Sequence, residues 1–181
     1  MRLFVALDTP EGLKGILARL RTDINPLPSF RVVDPANVHL TLTFLGEVPD
    51  GKVGKVVAAL HDVPFSGCTL QTTKLGIFPH VLWLGVKLNE ELAQLQQHVV
   101  RAVRPFTTRD PRPYQPHLTL ARFGRLGARE RTILDRLVKE TRIEERWKSD
   151  AFVLYRSMLT PTGPIYEVVE RFRISDNIEN N

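Results

Sequence analysis

Apolar positions along the chain switch between strand-like runs and helical spacing, and each switch marks an element. Residues 3–7 form an unbroken apolar run, as a buried strand does, closed by Asp8, Thr9 and Pro10. Asp8 or Thr9 ahead of Pro10 and Glu11 predicts a helix start. Leu13, Ile16, Leu17 and Leu20 then recur at helical spacing until Pro26 and Pro28 stop them. A short extended piece, 30–33, leads into a strand over 39–45, and a turn over 46–51 opens a helix marked by Val53, Val56, Val57 and Leu60. The pattern over 66–77 is β-like, Pro79-His80 reads as a hairpin turn, and 81–88 is a strong strand around Trp83. Asn89 caps a third helix carrying Leu92, Leu95, Val99, Val100 and Val103, with Pro105 beyond its end. A loop dense in Arg and Pro, 107–116, precedes a strand over 117–123; a fourth helix carries Ile133, Leu134, Leu137 and Val138. Strands over 151–159 and 165–172 follow, and residues 175–181 form a polar tail. The pattern thus predicts about eight or nine strands and four helices in a single domain over 1–174, of α+β class with mostly antiparallel sheet.

Within this pattern one tetrapeptide occurs twice, as His39-Leu40-Thr41-Leu42 and His117-Leu118-Thr119-Leu120. A strand points alternate side chains to one face, so His and Thr share a face while both leucines take the other. Each copy is followed by a turn and a helix, so the motif recurs with its setting about 80 residues on, a duplication rather than a solenoid period. Two similar lobes facing each other across a groove would make His39 and His117 pseudo-symmetric partners. Two imidazoles can serve as base and acid near neutral pH, and two hydroxyls can donate to the oxygens of a phosphate. That set suits phosphoester chemistry without a metal.

Composition narrows the setting. The 181 residues are 43% hydrophobic and 25% charged, as in an ordinary soluble globular protein, and the formal charge of +5 mildly favours an anionic partner. Cys68 is the only cysteine, which excludes an intramolecular disulfide and a Cys-based zinc site and suits a reducing compartment. No apolar run reaches membrane-spanning length, so a soluble, cytoplasmic protein without membrane contact is expected. A catalytic zinc would need a third ligand, and neither motif has a carboxylate or Cys at useful spacing.

Several stretches carry a resemblance: Arg2-Leu3-Phe4-Val5-Ala6, the run from Asn37 through His39-Leu40-Thr41-Leu42 to Gly46, Val81-Leu82-Trp83-Leu84-Gly85-Val86, Pro116-His117-Leu118-Thr119-Leu120-Ala121-Arg122, and Gly163-Pro164-Ile165-Tyr166. In order and spacing they resemble the 2H phosphoesterases, and among these the RNA 2',3'-cyclic phosphodiesterases, also called 2'-5' RNA ligases. The resemblance implies two pseudo-symmetric lobes, each with an antiparallel sheet, around a V-shaped cleft. It implies hydrolysis of an RNA terminal 2',3'-cyclic phosphate to a 2'-phosphate, with joining of tRNA halves through a 2'-5' bond as a related use. His117 is then the proton acceptor that activates water and His39 the proton donor, with Thr41 and Thr119 donating to the non-bridging oxygens. Arg122 matches a phosphate-contacting arginine, and Phe44 an aromatic near the substrate base or ribose. Each stands five residues after its histidine, so strict alternation puts both on the wrong face; they reach the cleft only if the strand twists, bulges or ends.

Blander readings stand beside these. Two core histidines satisfied by backbone are outweighed by the repetition with Thr two residues on. Thr43 shares the face of His39 and reads as pocket wall, and Trp83 reads as core. His61, His80 and His98 read as solvated or structural. Arg109, Arg112 and Tyr114 either hold the RNA and stack on a nucleotide or form a solvated basic loop. Two other functions compete: a phosphodiesterase for small nucleoside cyclic phosphates, and a non-catalytic module that only binds RNA ends. A monomer with no cofactor is expected.

Overall fold

The computed structural model describes residues 1–24, 27–107, 113–160 and 163–174. Its strands are β1 (Arg2–Asp8), β2 (Phe30–Val32), β3 (His39–Glu47), β4 (Cys68–Phe78), β5 (Val81–Val86), β6 (His117–Phe123), β7 (Arg146–Ser149), β8 (Ala151–Thr160) and β9 (Gly163–Arg173). The helices are α1 (Glu11–Ile24), α2 (Val53–His61), α3 (Glu90–Val103) and α4 (Ala128–Glu140). All pairings are antiparallel, in the order β7-β4-β5-β6-β3-β1-β8-β9, with β2 added along β6. The α+β class holds. The expected two sheets are linked into one, because β3 and β6 meet through a single residue pair, Leu40 with Leu118. On either side of that seam the order runs outward in matched fashion, β3-β1-β8-β9 and β6-β5-β4-β7, which is the duplication made visible.

One face carries the core. Leu3, Val5 and Leu7 of β1, Leu40 and Leu42 of β3, and Leu118 and Leu120 of β6 are all buried there. The helices add their apolar stripes, among them Leu13 and Leu17 of α1, Leu60 of α2, Leu92 and Val99 of α3, and Leu134 of α4. Asn89 caps α3 as the sequence indicates, its carboxamide oxygen accepting from the Leu92 amide at 2.9 Å. The hairpin at Pro79-His80 also forms, with His80 in the left-handed region at φ 66°. No helix among the described residues is long and apolar enough to cross a membrane.

Two features depart from the sequence reading. The edge strand β7, absent from it, is four residues with little apolar content, and pairing with β4 rather than pattern makes it a strand. Asp8 and Thr9, expected to start α1, are engaged elsewhere. Thr9 donates its hydroxyl to the Val38 carbonyl at 2.9 Å, pinning the start of β3, and Asp8 faces the opposite strand. The proposed tail over 175–181, together with Arg109 and Arg112, lies outside the described residues.

Candidate active site

The Leu40–Leu118 pair turns both leucines into the core and so sets both motif histidines on the other, helix-free face. Continuing that antiparallel register by one residue puts His39 across from Thr119 and Thr41 across from His117. The two rings sit in matched backbone settings. Nδ1 of His39 lies 2.8 Å from the Asn37 carbonyl, and Nδ1 of His117 lies 2.7 Å from the Gln115 carbonyl. A carbonyl only accepts, so each Nδ1 carries the proton and each Nε2 is left for chemistry. No described residue bonds the hydroxyl of Thr41 or Thr119.

Bulges resolve the position of Phe44 and Arg122. In β3, Thr41 pairs with Ala6 and Thr43 with Val5, so Leu42 is an extra residue. In β6, Thr119 pairs with Trp83 and Ala121 with Leu82, so Leu120 is the extra one. Each bulge sits three residues after its histidine, and each resets the alternation. Phe44 then faces Phe4 on the histidine face, ring centroids 5.8 Å apart, and Arg122 returns to the face of Thr119. The same reset corrects the reading of Thr43. It stands across from buried Val5 and has left the face of His39.

Aromatic rings wall both imidazoles. Phe4 stacks on His39 at 4.7 Å and Tyr166 meets it edge-on at 5.2 Å; Phe78 meets His117 edge-on at 5.0 Å. Trp83, read from sequence as core, lies instead on the cleft side beside His117, centroids 6.3 Å apart. Its ring covers Gly76 of the neighbouring strand, where a Cβ would come within 2.2 Å of it, so glycine is what makes room for the indole there. Tyr114, expected at the base or ribose, packs partly against the core and donates its hydroxyl to the Thr41 carbonyl at 3.2 Å. It thus ties the segment before His117 to the opposite motif strand, and burial raises its hydroxyl well above an ordinary phenol.

The electrostatic surroundings break the symmetry. Asp8 stands across the ladder from His39, while the residue across from His117 is Gly85. The Asp8 carboxylate accepts from the Tyr155 hydroxyl and from the Arg171 guanidinium at 2.9 Å. Burial pulls His39 below the ordinary imidazole value; the Asn37 carbonyl and the Asp8 charge push back, and the neighbouring His117 adds to the fall. None of Asp8, Phe4, Tyr155 and Arg171 was read from the sequence as a site residue. Their signal was available for β1, where Arg2, Phe4, Ala6 and Asp8 alternate with Leu3, Val5 and Leu7. Among the described residues no three His, Cys, Asp or Glu side chains come together as metal donors.

Comparison with known proteins identifies the family and the fold. The family model described as the 2'-5' RNA ligase superfamily matches residues 10–159. An RNA 2',3'-cyclic phosphodiesterase of Methanothermobacter thermautotrophicus is 33% identical, over 96% of this chain and 99% of its own length. One of Archaeoglobus fulgidus is 30% identical over 95% and 99%. Among solved structures, TT0787 of Thermus thermophilus superposes with a TM-score of 0.80 at 27% identity, covering 96% of this chain and 98% of that one. E. coli LigT complexed with 3'-AMP superposes with a TM-score of 0.79 at 26% identity and the same coverage. With its paired motifs at the seam of a duplicated sheet, the chain belongs to the 2'-5' RNA ligase superfamily of 2H phosphoesterases.

Proposed function

We propose that this protein hydrolyses the 2',3'-cyclic phosphate at an RNA end to a 2'-phosphate by acid–base catalysis between His39 and His117. The observation that carries the reading is the matched pair of rings on one face, each with Nδ1 held by a carbonyl and Nε2 without a bond among the described residues. Nε2 of His117 takes a proton from water as its oxygen bonds to phosphorus. The bond from phosphorus to the ribose O3' breaks in line, and Nε2–H of His39 gives its proton to that oxygen. Thr41 and Thr119 donate to the non-bridging oxygens as charge builds, with Arg122 as a further cation for the phosphate and Phe44 beside the base or ribose. The relatives named RNA 2',3'-cyclic phosphodiesterase support this reaction and substrate.

The assignment of His39 as donor is supported by Asp8, since a carboxylate across the ladder favours the imidazolium and Gly85 offers His117 nothing similar. Burial favours neutral His39, and the negative charge of a phosphate beside it favours the imidazolium. The same steps with a ribose 5'-hydroxyl in place of water, its proton taken by His117 as the bond from phosphorus to O3' breaks, would give a 2'-5' bond, the route to joining tRNA halves. The pH profile of turnover tests the pair: a bell is expected, with both His39→Ala and His117→Ala losing at least about a hundredfold in kcat. A flat profile, or a variant that keeps full turnover, overturns it.

A further inference from the structure

Beyond the histidines the open face continues into a cluster of arginines drawn from both halves of the sheet. The reset alternation of β6 brings Arg122 to the cleft side, and Arg31 of β2 stands directly across from it in the ladder. Phe30 and Val32, on either side of Arg31, take the opposite face, where Phe30 packs against Phe123 with ring centroids 5.1 Å apart and joins the core. From the other half, Arg2 shares the face of Phe4, because Leu3 between them is buried. The Tyr166 hydroxyl, which meets His39 edge-on, feels the charges of both Arg122 and Arg2. All three arginines are exposed, and none forms an ion pair among the described residues, although Glu47 stands across the ladder from Arg2. Glu47 turns instead toward the chain amino group, 3.8 Å away.

Like charges placed directly opposite on neighbouring strands destabilise a sheet unless an anion lies between them. Arg31 across from Arg122 is such a pair, kept on the face where the phosphate chemistry is proposed. A terminal 2',3'-cyclic phosphate leaves only one direction in which the RNA can continue, through the phosphodiester on the 5' side of its nucleotide. We infer that Arg2 and Arg31, flanking Arg122, form a second phosphate subsite that holds this 5' phosphodiester, so that the protein selects RNA ends over free nucleoside cyclic phosphates. The inference rests on the cyclic phosphodiesterase reading and adds to it two binding residues and a chain-length preference. Guanidinium forks suit a phosphodiester whatever its base, so the subsite reads the backbone and not the sequence.

Three probes separate the contributions: a nucleoside 2',3'-cyclic phosphate with a free 5'-hydroxyl, the same compound 5'-phosphorylated, and a dinucleotide ending in the cyclic phosphate. The whole protein is compared with R2A, R31A, R2A/R31A and R31K. The wild type is expected to prefer both phosphate-bearing probes by at least about tenfold in kcat/KM. The double variant should lose that ratio, R31K should keep part of it, and the salt dependence on the dinucleotide should become shallower by about one unit per arginine removed. An unchanged ratio in the double variant, or a wild type with no preference, overturns the subsite while leaving the reaction in place. Absence of turnover by the wild type on all three probes overturns the reaction, and the subsite with it.

Discussion

Asp8 stands directly across the β1–β3 ladder from His39, and its carboxylate is held by Tyr155 and Arg171. The equivalent position across from His117 is Gly85. Two histidines that share a motif and a backbone setting therefore differ in charge environment. In the proposed reaction that difference favours His39 as the proton donor and His117 as the acceptor.

Asp8→Asn tests this directly. The Asp8 charge raises the pKa of His39, so its removal lowers that pKa further and reduces the protonated fraction at pH 7. Turnover at pH 7 should fall by up to about tenfold, and the limb of the pH profile belonging to His39 should move to lower pH. Titration of the His39 ring by NMR checks the cause; an unmoved His39 with slowed turnover would assign Asp8 a purely structural part.

Tyr114→Phe keeps the ring and removes the bond to the Thr41 carbonyl. A loss of about 1 kcal/mol in urea unfolding is expected, the usual worth of one partly buried hydrogen bond. Because the proposed reaction uses the Thr41 hydroxyl as a phosphate donor, kcat should fall more than KM rises. Unchanged kcat would show that the tie between the motif strands does not position Thr41.

Gly76→Ala drives a methyl group into the Trp83 ring. Destabilisation of about 1–3 kcal/mol is expected, with a change in tryptophan fluorescence as the indole shifts. Since Trp83 lies beside His117, turnover should fall as well. Gly76→Ala with wild-type fluorescence and stability would mean that the ring has room the structure does not show.

Glu130 links two parts of the same half. Its carboxylate accepts from the Gly127 amide at 3.0 Å and from the Ser29 amide and hydroxyl at 3.1 and 2.9 Å, and these bonds hold it below the ordinary carboxylate value of 4.5. A carboxylate depressed on folding stabilises the fold above its unfolded pKa, and the gain is lost as pH falls through the folded pKa. The Tm difference between wild type and Glu130→Ala should thus be full at neutral pH and shrink only below about pH 4.5, where the carboxylate protonates. A difference independent of pH would show that the charge contributes nothing.

Much of this site was legible in the sequence because its chemistry rides on a repeated strand pattern. The repeated tetrapeptide singles out His39, Thr41, His117 and Thr119, alternation gives each pair one face, and the leucines between them identify the buried face. Phe44 and Arg122 came only from the family resemblance. Their side of the sheet depends on bulges at Leu42 and Leu120, and bulges are set by pairing with β1 and β5, not by the strand's own residues. Trp83 was misread for the same reason: a large aromatic in a strand suits either face, and only Gly76 on the neighbouring strand marks the open one. Asp8 looked like a helix cap because caps and strand ends favour the same residue types. Its partners Tyr155 and Arg171 lie far along the chain, and the fold alone brings them together.

The most direct measurement is product analysis. A short oligonucleotide ending in a 2',3'-cyclic phosphate is incubated with the protein in EDTA, and 2'-phosphate is resolved from 3'-phosphate. Clean 2'-phosphate is expected, lost in both His39→Ala and His117→Ala, because the proton from His39 goes to the ribose O3'. A 3'-phosphate product, or turnover that survives loss of either ring, would contradict the two-histidine reaction.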